Sequence, residues 1–205
     1  MIRVNTKLNK QQTETKKTDW IQTYTGKKFY PLEPDPDQIC IEDIAHSLAM
    51  LCRYNGHTKQ FYSVAQHCVI LSQKFFNSRH MRLAALLHDA SEAYLSDLPR
   101  PLKHLPQFAF YREAEDQLQS MILQKFNISL TDVQQKLIEL FDHEMIYHEA
   151  ASPALMHPTH ADWQMPLNKS NLRFDISPWG PSGAETVFLM VFYNLTQNKE
   201  AATNA

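Results

Sequence analysis

The chain has 205 residues, 43% hydrophobic and 20% charged, with a formal net charge of −2. That is enough apolar side chain for one domain with a buried core, and it gives no global basic field of the kind that would hold a long polyanion. A small anionic ligand, held by a few local Arg and Lys side chains, stays compatible with it.

Residues 1–19 are polar and rich in Lys, Thr and Gln, without the apolar stretch of a secretory signal, and read as a flexible tail. The segment 20–39 carries aromatics, one Gly and three prolines (Pro31, Pro34, Pro36). It reads as an irregular arm with a short strand pair around Thr23–Phe29. Its Trp20, Tyr24, Phe29 and Tyr30 either stack a base or plug the end of a helical bundle. Helical spacing then begins: Ile41, Ile44, Ala45, Leu48, Leu51 and Cys52 share one face, and Asn55-Gly56 signals a stop.

Ser63 is placed to cap a second helix through about Phe76, and Ser78 a third from Arg79 to about Leu95. The Leu83–Leu87 stretch is apolar nearly all round, which marks the third helix as the central one. Leu98-Pro99-Arg100-Pro101 breaks the chain. A fourth helix is expected from about Pro106 to Phe126. A fifth, capped by Ser129 or Thr131, reaches about Ala150. Residues 151–181, with five prolines, form a long loop; a sixth helix runs from about Ser182 to Leu195, and 198–205 fray. The expectation is an all-α bundle of about six helices spanning 20–197.

Cys40, Cys52 and Cys68 are odd in number with no CxxC pair, as reduced buried thiols would be. No apolar run approaches the roughly 18 residues a membrane helix requires. A cytoplasmic protein with no membrane and no polymeric nucleic acid as partner is expected. The apolar face of the last helix (Val187, Phe188, Leu189, Val191, Phe192) is compatible with a homo-oligomer.

Four residues have the character of metal ligands: His67, the adjacent His88-Asp89, and Asp142, each in the middle or late part of a predicted buried helix. A buried carboxylate is costly unless paired or metal-bound, and imidazole with carboxylate suits a borderline divalent ion while leaving coordination positions open. Taken singly, a core histidine or an adjacent His-Asp pair is more often structural than catalytic. Other histidines carry less. His143-Glu144 followed by His148 has HExxxH spacing, which does not share a helix face, and His157 and His160 lie in the proline-rich loop. His57 beside Gly56 is a candidate for the wall of a ligand pocket.

The run that follows, HDASEAYLSDLPRPLK from His88 to Lys103, resembles the HD-domain metal-dependent phosphohydrolases, nearest to the bacterial 5′-deoxynucleotidases and the phage dATP triphosphohydrolases. Their order of His, then HDxxE, then DLPxP with a basic residue, then Asp recurs over roughly residues 40–150. Arg53, Tyr111, Glu115 and Glu149 keep the family's spacing. The resemblance implies a divalent metal ion (Zn, Co or Mn) on His67, His88, Asp89 and Asp142, with Glu92 as general acid or base and Asp97 in a supporting acid/base role. It also implies phosphate contacts from Arg53 and Lys103, beside His57. The implied activity is hydrolysis of phosphate from a (deoxy)nucleotide, as a 5′-deoxynucleotidase or a dNTP triphosphohydrolase. Two rivals remain: an inactive HD-domain nucleotide sensor, and a metal-stabilised structural module.

Overall fold

The chain is all-α, with eight α-helices and one two-stranded hairpin among residues 19–156 and 174–197, the part described by this computed structural model. The helices are α1 (Ile41–Met50), α2 (Val64–Ser72), α3 (Arg79–Leu86), α4 (Glu92–Leu95), α5 (Arg100–Lys103), α6 (Ala109–Lys125), α7 (Asp132–Ala151) and α8 (Pro181–Gln197). The tails, the greater part of the proline-rich loop, and His157 and His160 lie outside the described residues.

Helix starts follow the chemistry of the caps. Ser63 accepts from the Gln66 N–H at 3.1 Å, Ser78 from Met81 at 3.3 Å, and Thr131 and Gln134 form a reciprocal capping box at the head of α7. In the arm, β1 (Ile21–Gln22) pairs antiparallel with β2 (Lys28–Phe29). The buried carboxylate of Asp43 pins the turn by accepting from the Thr25 backbone N–H at 2.6 Å and its hydroxyl at 2.9 Å.

Phe29 is fully buried and stacks on Tyr94 with ring centroids 4.0 Å apart, so the arm plugs the bundle. Tyr24 stacks on His46, and Trp20 lies under the Lys28 ammonium. Replacing Phe29 by Ala is expected to cost about 3–5 kcal/mol, read as a fall in the denaturation midpoint. A change below about 1 kcal/mol would mean that the arm is not part of the core.

Two expectations need correction. The central element is α2, every residue of which is buried, and not the third helix. α2 is packed by α1, α3 and α8 and touched by α7, while α3 leaves His80 exposed. The third helix does not run to Leu95. It ends at Leu86, Leu87 turns out of the helical region at φ −102°, ψ 10°, and α4 restarts at Glu92. His88 and Asp89 therefore sit in a run of tight turns and not within a helix. The carboxamide of Gln119 on α6 occupies the place of the next helical ladder bond. Phe188, Val191 and Phe192 of α8 face the core, with Val187 and Leu189 half-buried; among the large apolar residues of α8, Met190 is the exposed one.

Cys68 is buried, and Cys40 and Cys52 are half-buried free thiols. Among the described residues no helix is long and apolar enough to cross a membrane.

Candidate metal centre and adjoining cleft

Three elements converge on one point. His67 comes from the middle of α2, His88 and Asp89 from the turn between α3 and α4, and Asp142 from the middle of α7. His67 Nε2 lies 3.3 Å from His88 Nε2, 3.8 Å from Asp89 Oδ2 and 2.9 Å from Asp142 Oδ1. His88 Nε2 lies 3.1 Å from Asp89 Oδ2 and 3.8 Å from Asp142 Oδ1. The ligand atoms of His67, His88 and Asp89 fall within 4.8 Å of one another.

The other ring nitrogens are already committed. His67 Nδ1 is 2.8 Å from Glu149 Oε1, and His88 Nδ1 is 2.9 Å from the Ala85 carbonyl oxygen. Both partners accept, so each Nδ1 carries a proton, and each Nε2 points inward, where it would offer its lone pair to a bound ion. Two imidazole Nε2 atoms and two carboxylate oxygens thus face one another across a few ångströms. Around one ion with bonds near 2.1 Å, neighbouring ligand atoms would stand about 3.0–3.4 Å apart, close to the observed spacing. His67, His88 and Asp89 can hold a metal ion, and Asp142 Oδ1 lies within 3.8 Å of both imidazoles.

Electrostatics agree with that geometry. Burial disfavours the charged form of Asp142, yet hydrogen bonds with His67 and His88 hold its carboxyl well below the usual range. Burial likewise opposes a charge on His88, but Asp89 raises its pKa well above that of free imidazole. An electron-rich cluster of this kind gathers protons when no other cation is offered.

Glu149 is the buried support of the centre. Besides His67 it accepts from the Tyr62 hydroxyl at 2.9 Å, the Arg53 guanidinium at 3.1 Å and the Tyr54 hydroxyl. Burial works against its charge, but Arg53 and His67 pull its pKa down to about 2. Arg53 reaches this point because Tyr54 and Asn55 both adopt left-handed backbone, at φ 56° and 51°, which folds the 53–56 turn inward. The backbone pairing of Arg53 N–H with the Tyr62 carbonyl oxygen at 2.9 Å closes the loop. No role for Glu149, Tyr54 or Tyr62 was drawn from the sequence. The signal for Glu149 was present, since it lies two helical turns beyond Asp142 on the same face.

Glu92, at the start of α4, is 6% exposed, and its Oε2 has no hydrogen-bond partner among the described residues. Burial, then the neighbouring charges of Asp89 and Asp97, push its carboxyl well above the ordinary range. Asp97 is half-buried, and burial raises its pKa too, with Arg53 opposing. It follows Ser96, whose φ of 75° and ψ of 158° form a strained pair for a residue with a Cβ. The Tyr111 hydroxyl donates to the Ser96 carbonyl oxygen at 2.6 Å and holds that bend.

Lys103, the second expected phosphate contact, is held by carboxylates. Its ammonium donates to Glu115 at 2.7 Å, stands 3.8 Å from Glu92, and is not among the residues that line the cleft beside the centre. That cleft, about 990 Å³, is lined by Arg53, His57, Asp97, Arg100 and His143, with Tyr54, Ile146, Tyr147 and Met156 as its apolar wall. His57 is exposed at its mouth. A second cavity of about 680 Å³ opens on the other side of His88, Asp89 and Asp142, lined by acidic and amide side chains of α6 and α7. Both volumes fall in the range of small-molecule sites.

No family model matches the chain. The uncharacterized protein YfdR of Escherichia coli is 42% identical over 109 residues, which cover 53% of this chain and 59% of that one. An uncharacterized protein of Rhodobacter capsulatus is 37% identical over 119 residues, covering 55% and 60%. The chain thus spans about three-fifths of the length of the curated relatives it matches.

Proposed function

We propose that the chain is a divalent-metal-dependent phosphohydrolase of the HD class acting on a (deoxy)nucleotide, as a 5′-deoxynucleotidase or a dNTP triphosphohydrolase, with Zn, Co or Mn as the ion. The observation that carries this reading is the convergence of His67, His88, Asp89 and Asp142 at the edge of a cleft lined by Arg53 and Arg100. Its agreement with the motif run His88–Lys103 adds support. The ion, when bound, supplies water activation and polarisation of a phosphoryl oxygen.

The chain's own groups divide the remaining work. Arg53, Arg100, His57 and His143 line the cleft and attract phosphate oxygens, with the planar Arg53 fork suited to two of them at once. Tyr54 and Tyr147 offer ring faces to a base. Glu92, kept protonated by burial and by Asp89, has a proton to give to a leaving oxygen. Lys103, braced by Glu115, sits within reach of the base form that Glu92 becomes. Asp97 faces the cleft and orients what enters it.

Metal-loaded protein should be incubated with each deoxynucleoside mono- and triphosphate and the products separated by chromatography. Triphosphate plus nucleoside from a dNTP, dATP included, identifies a triphosphohydrolase; phosphate plus nucleoside from monophosphates identifies a nucleotidase. No turnover with Zn, Mn or Co would leave a nucleotide-binding module as the better reading. Glu92→Gln is expected to lower kcat by about 10²–10⁴-fold with metal affinity little changed. Retained activity in that variant would remove Glu92 from the acid/base role.

A further inference from the structure

We infer that Gln119 is a positioning residue for the metal centre, acting as an amide wedge that opens the helix on which His88 and Asp89 would otherwise lie. This rests on the reading of His67, His88, Asp89 and Asp142 as a metal site.

In an unbroken helix the Ser91 N–H would donate to the Leu87 carbonyl oxygen, its i−4 partner. Here neither group bonds the other. The Gln119 Nε2 donates to the Leu87 carbonyl oxygen at 2.7 Å, and the Gln119 Oε1 accepts from the Ser91 N–H at 3.0 Å. A backbone carbonyl oxygen can only accept and an N–H can only donate, so the two contacts fix which way the amide points. One side chain replaces one ladder bond: it satisfies the freed Ser91 N–H and gives the Leu87 carbonyl oxygen a second donor beside the Ala90 N–H. A side chain inserted into the ladder is one of the few physical causes of a sharp helix break.

The break has a geometric consequence. Adjacent residues on a regular helix project about 100° apart. Turns of i→i+3 type replace the helix between Leu87 and Ser91, with the Ala90 N–H on the Leu87 carbonyl oxygen at 3.1 Å and the Glu92 N–H on that of Asp89 at 3.0 Å. In that conformation His88 Nε2 and Asp89 Oδ2 come within 3.1 Å of each other and face His67. The same wedge sets the start of α4 and so the position of Glu92. Local sequence does not call for a break here: Leu87 through Leu95 contains neither Gly nor Pro.

The test uses the full chain loaded with Co²⁺, whose visible absorption reports ligand geometry, together with metal affinity by chelator competition and amide hydrogen exchange over residues 87–92 in metal-free protein. Gln119→Leu keeps the volume and removes both bonds. It is expected to remain folded, to weaken Co²⁺ binding by about 10–100-fold, to alter the absorption bands, and to change exchange at Ser91. Gln119→Glu keeps the acceptor for Ser91 and loses the donor to Leu87, so an intermediate loss is expected; it also decides the matter if the Leu variant does not fold. Wild-type affinity, bands and exchange in a folded Leu variant, or in the Glu variant where the Leu variant is unfolded, would overturn the wedge while leaving the metal centre intact. A wild-type chain that binds no Co²⁺ overturns the metal reading itself, and the wedge's role in it falls with that reading.

Discussion

The double variant His88→Ala, Asp89→Ala is expected to lose metal binding and nucleotide turnover together. The two side chains contribute two of the four convergent donors, and His88 Nε2 is within 3.8 Å of each of the other three ligand atoms. Partners that merely orient ligands are each worth about 10–100-fold in metal affinity. Removing two ligands outright should exceed that, with a loss on the order of 10³-fold or more. Both residues are partly accessible, at 12% and 21% of their side-chain surface, so the fold should survive their truncation. Metal content after dialysis and initial rates with deoxynucleotides read the two losses separately. If the variant keeps its ion, the ligand set is misassigned. If it loses the ion and turns over nucleotides as the wild type does, the chemistry lies elsewhere.

The second large effect is at Glu149. Its two fully buried oxygens accept from His67, Arg53, Tyr54 and Tyr62. Glu149→Gln keeps the shape and removes the charge, leaving the Arg53 guanidinium buried beside a neutral amide. Breaking a buried pair in this way costs about 3–5 kcal/mol. In a domain of this length that is a fall in Tm of roughly 10 °C. The variant should also bind its ion about 10–100-fold more weakly, because His67 loses the partner that fixes its tautomer.

The same carboxylate makes a statement about pH. Its folded pKa of about 2 lies below the unfolded value of 4.5, so the charged form is favoured by folding. The resulting stabilisation, about 3 kcal/mol, is fully present above pH 4.5 and disappears as pH falls toward 2. Denaturant midpoints measured between pH 6 and pH 2 should fall more steeply for the wild type than for Glu149→Gln. Parallel curves would mean that Glu149 does not carry this charge in the folded state.

How much was readable from the chain varied with the kind of interaction. The caps at Ser63, Ser78 and Thr131 and the 3–4 spacing of apolar residues placed α2, α6, α7 and α8, and the start of α3, to within a few residues, because caps and amphipathic faces depend on neighbours in sequence. The donor set His67, His88, Asp89 and Asp142 was legible for a related reason: ionisable groups embedded in apolar stretches need a compensating partner wherever the chain takes them. By contrast, the ion pair that holds Lys103 was not legible, and the third helix as one rod was misread. The first depends on Glu115 twelve residues on, and the second on an amide twenty-eight residues on.

The sequence by itself determined that this is an all-α chain with imidazoles and carboxylates set into apolar stretches. Only the tertiary structure decided that Glu149 anchors the site, that Gln119 splits the helix bearing His88 and Asp89, and that Arg53 rather than Lys103 lines the cleft. Each of those contacts joins segments far apart in the chain. Their strength comes from the low-dielectric interior that packing creates, and no local propensity encodes it.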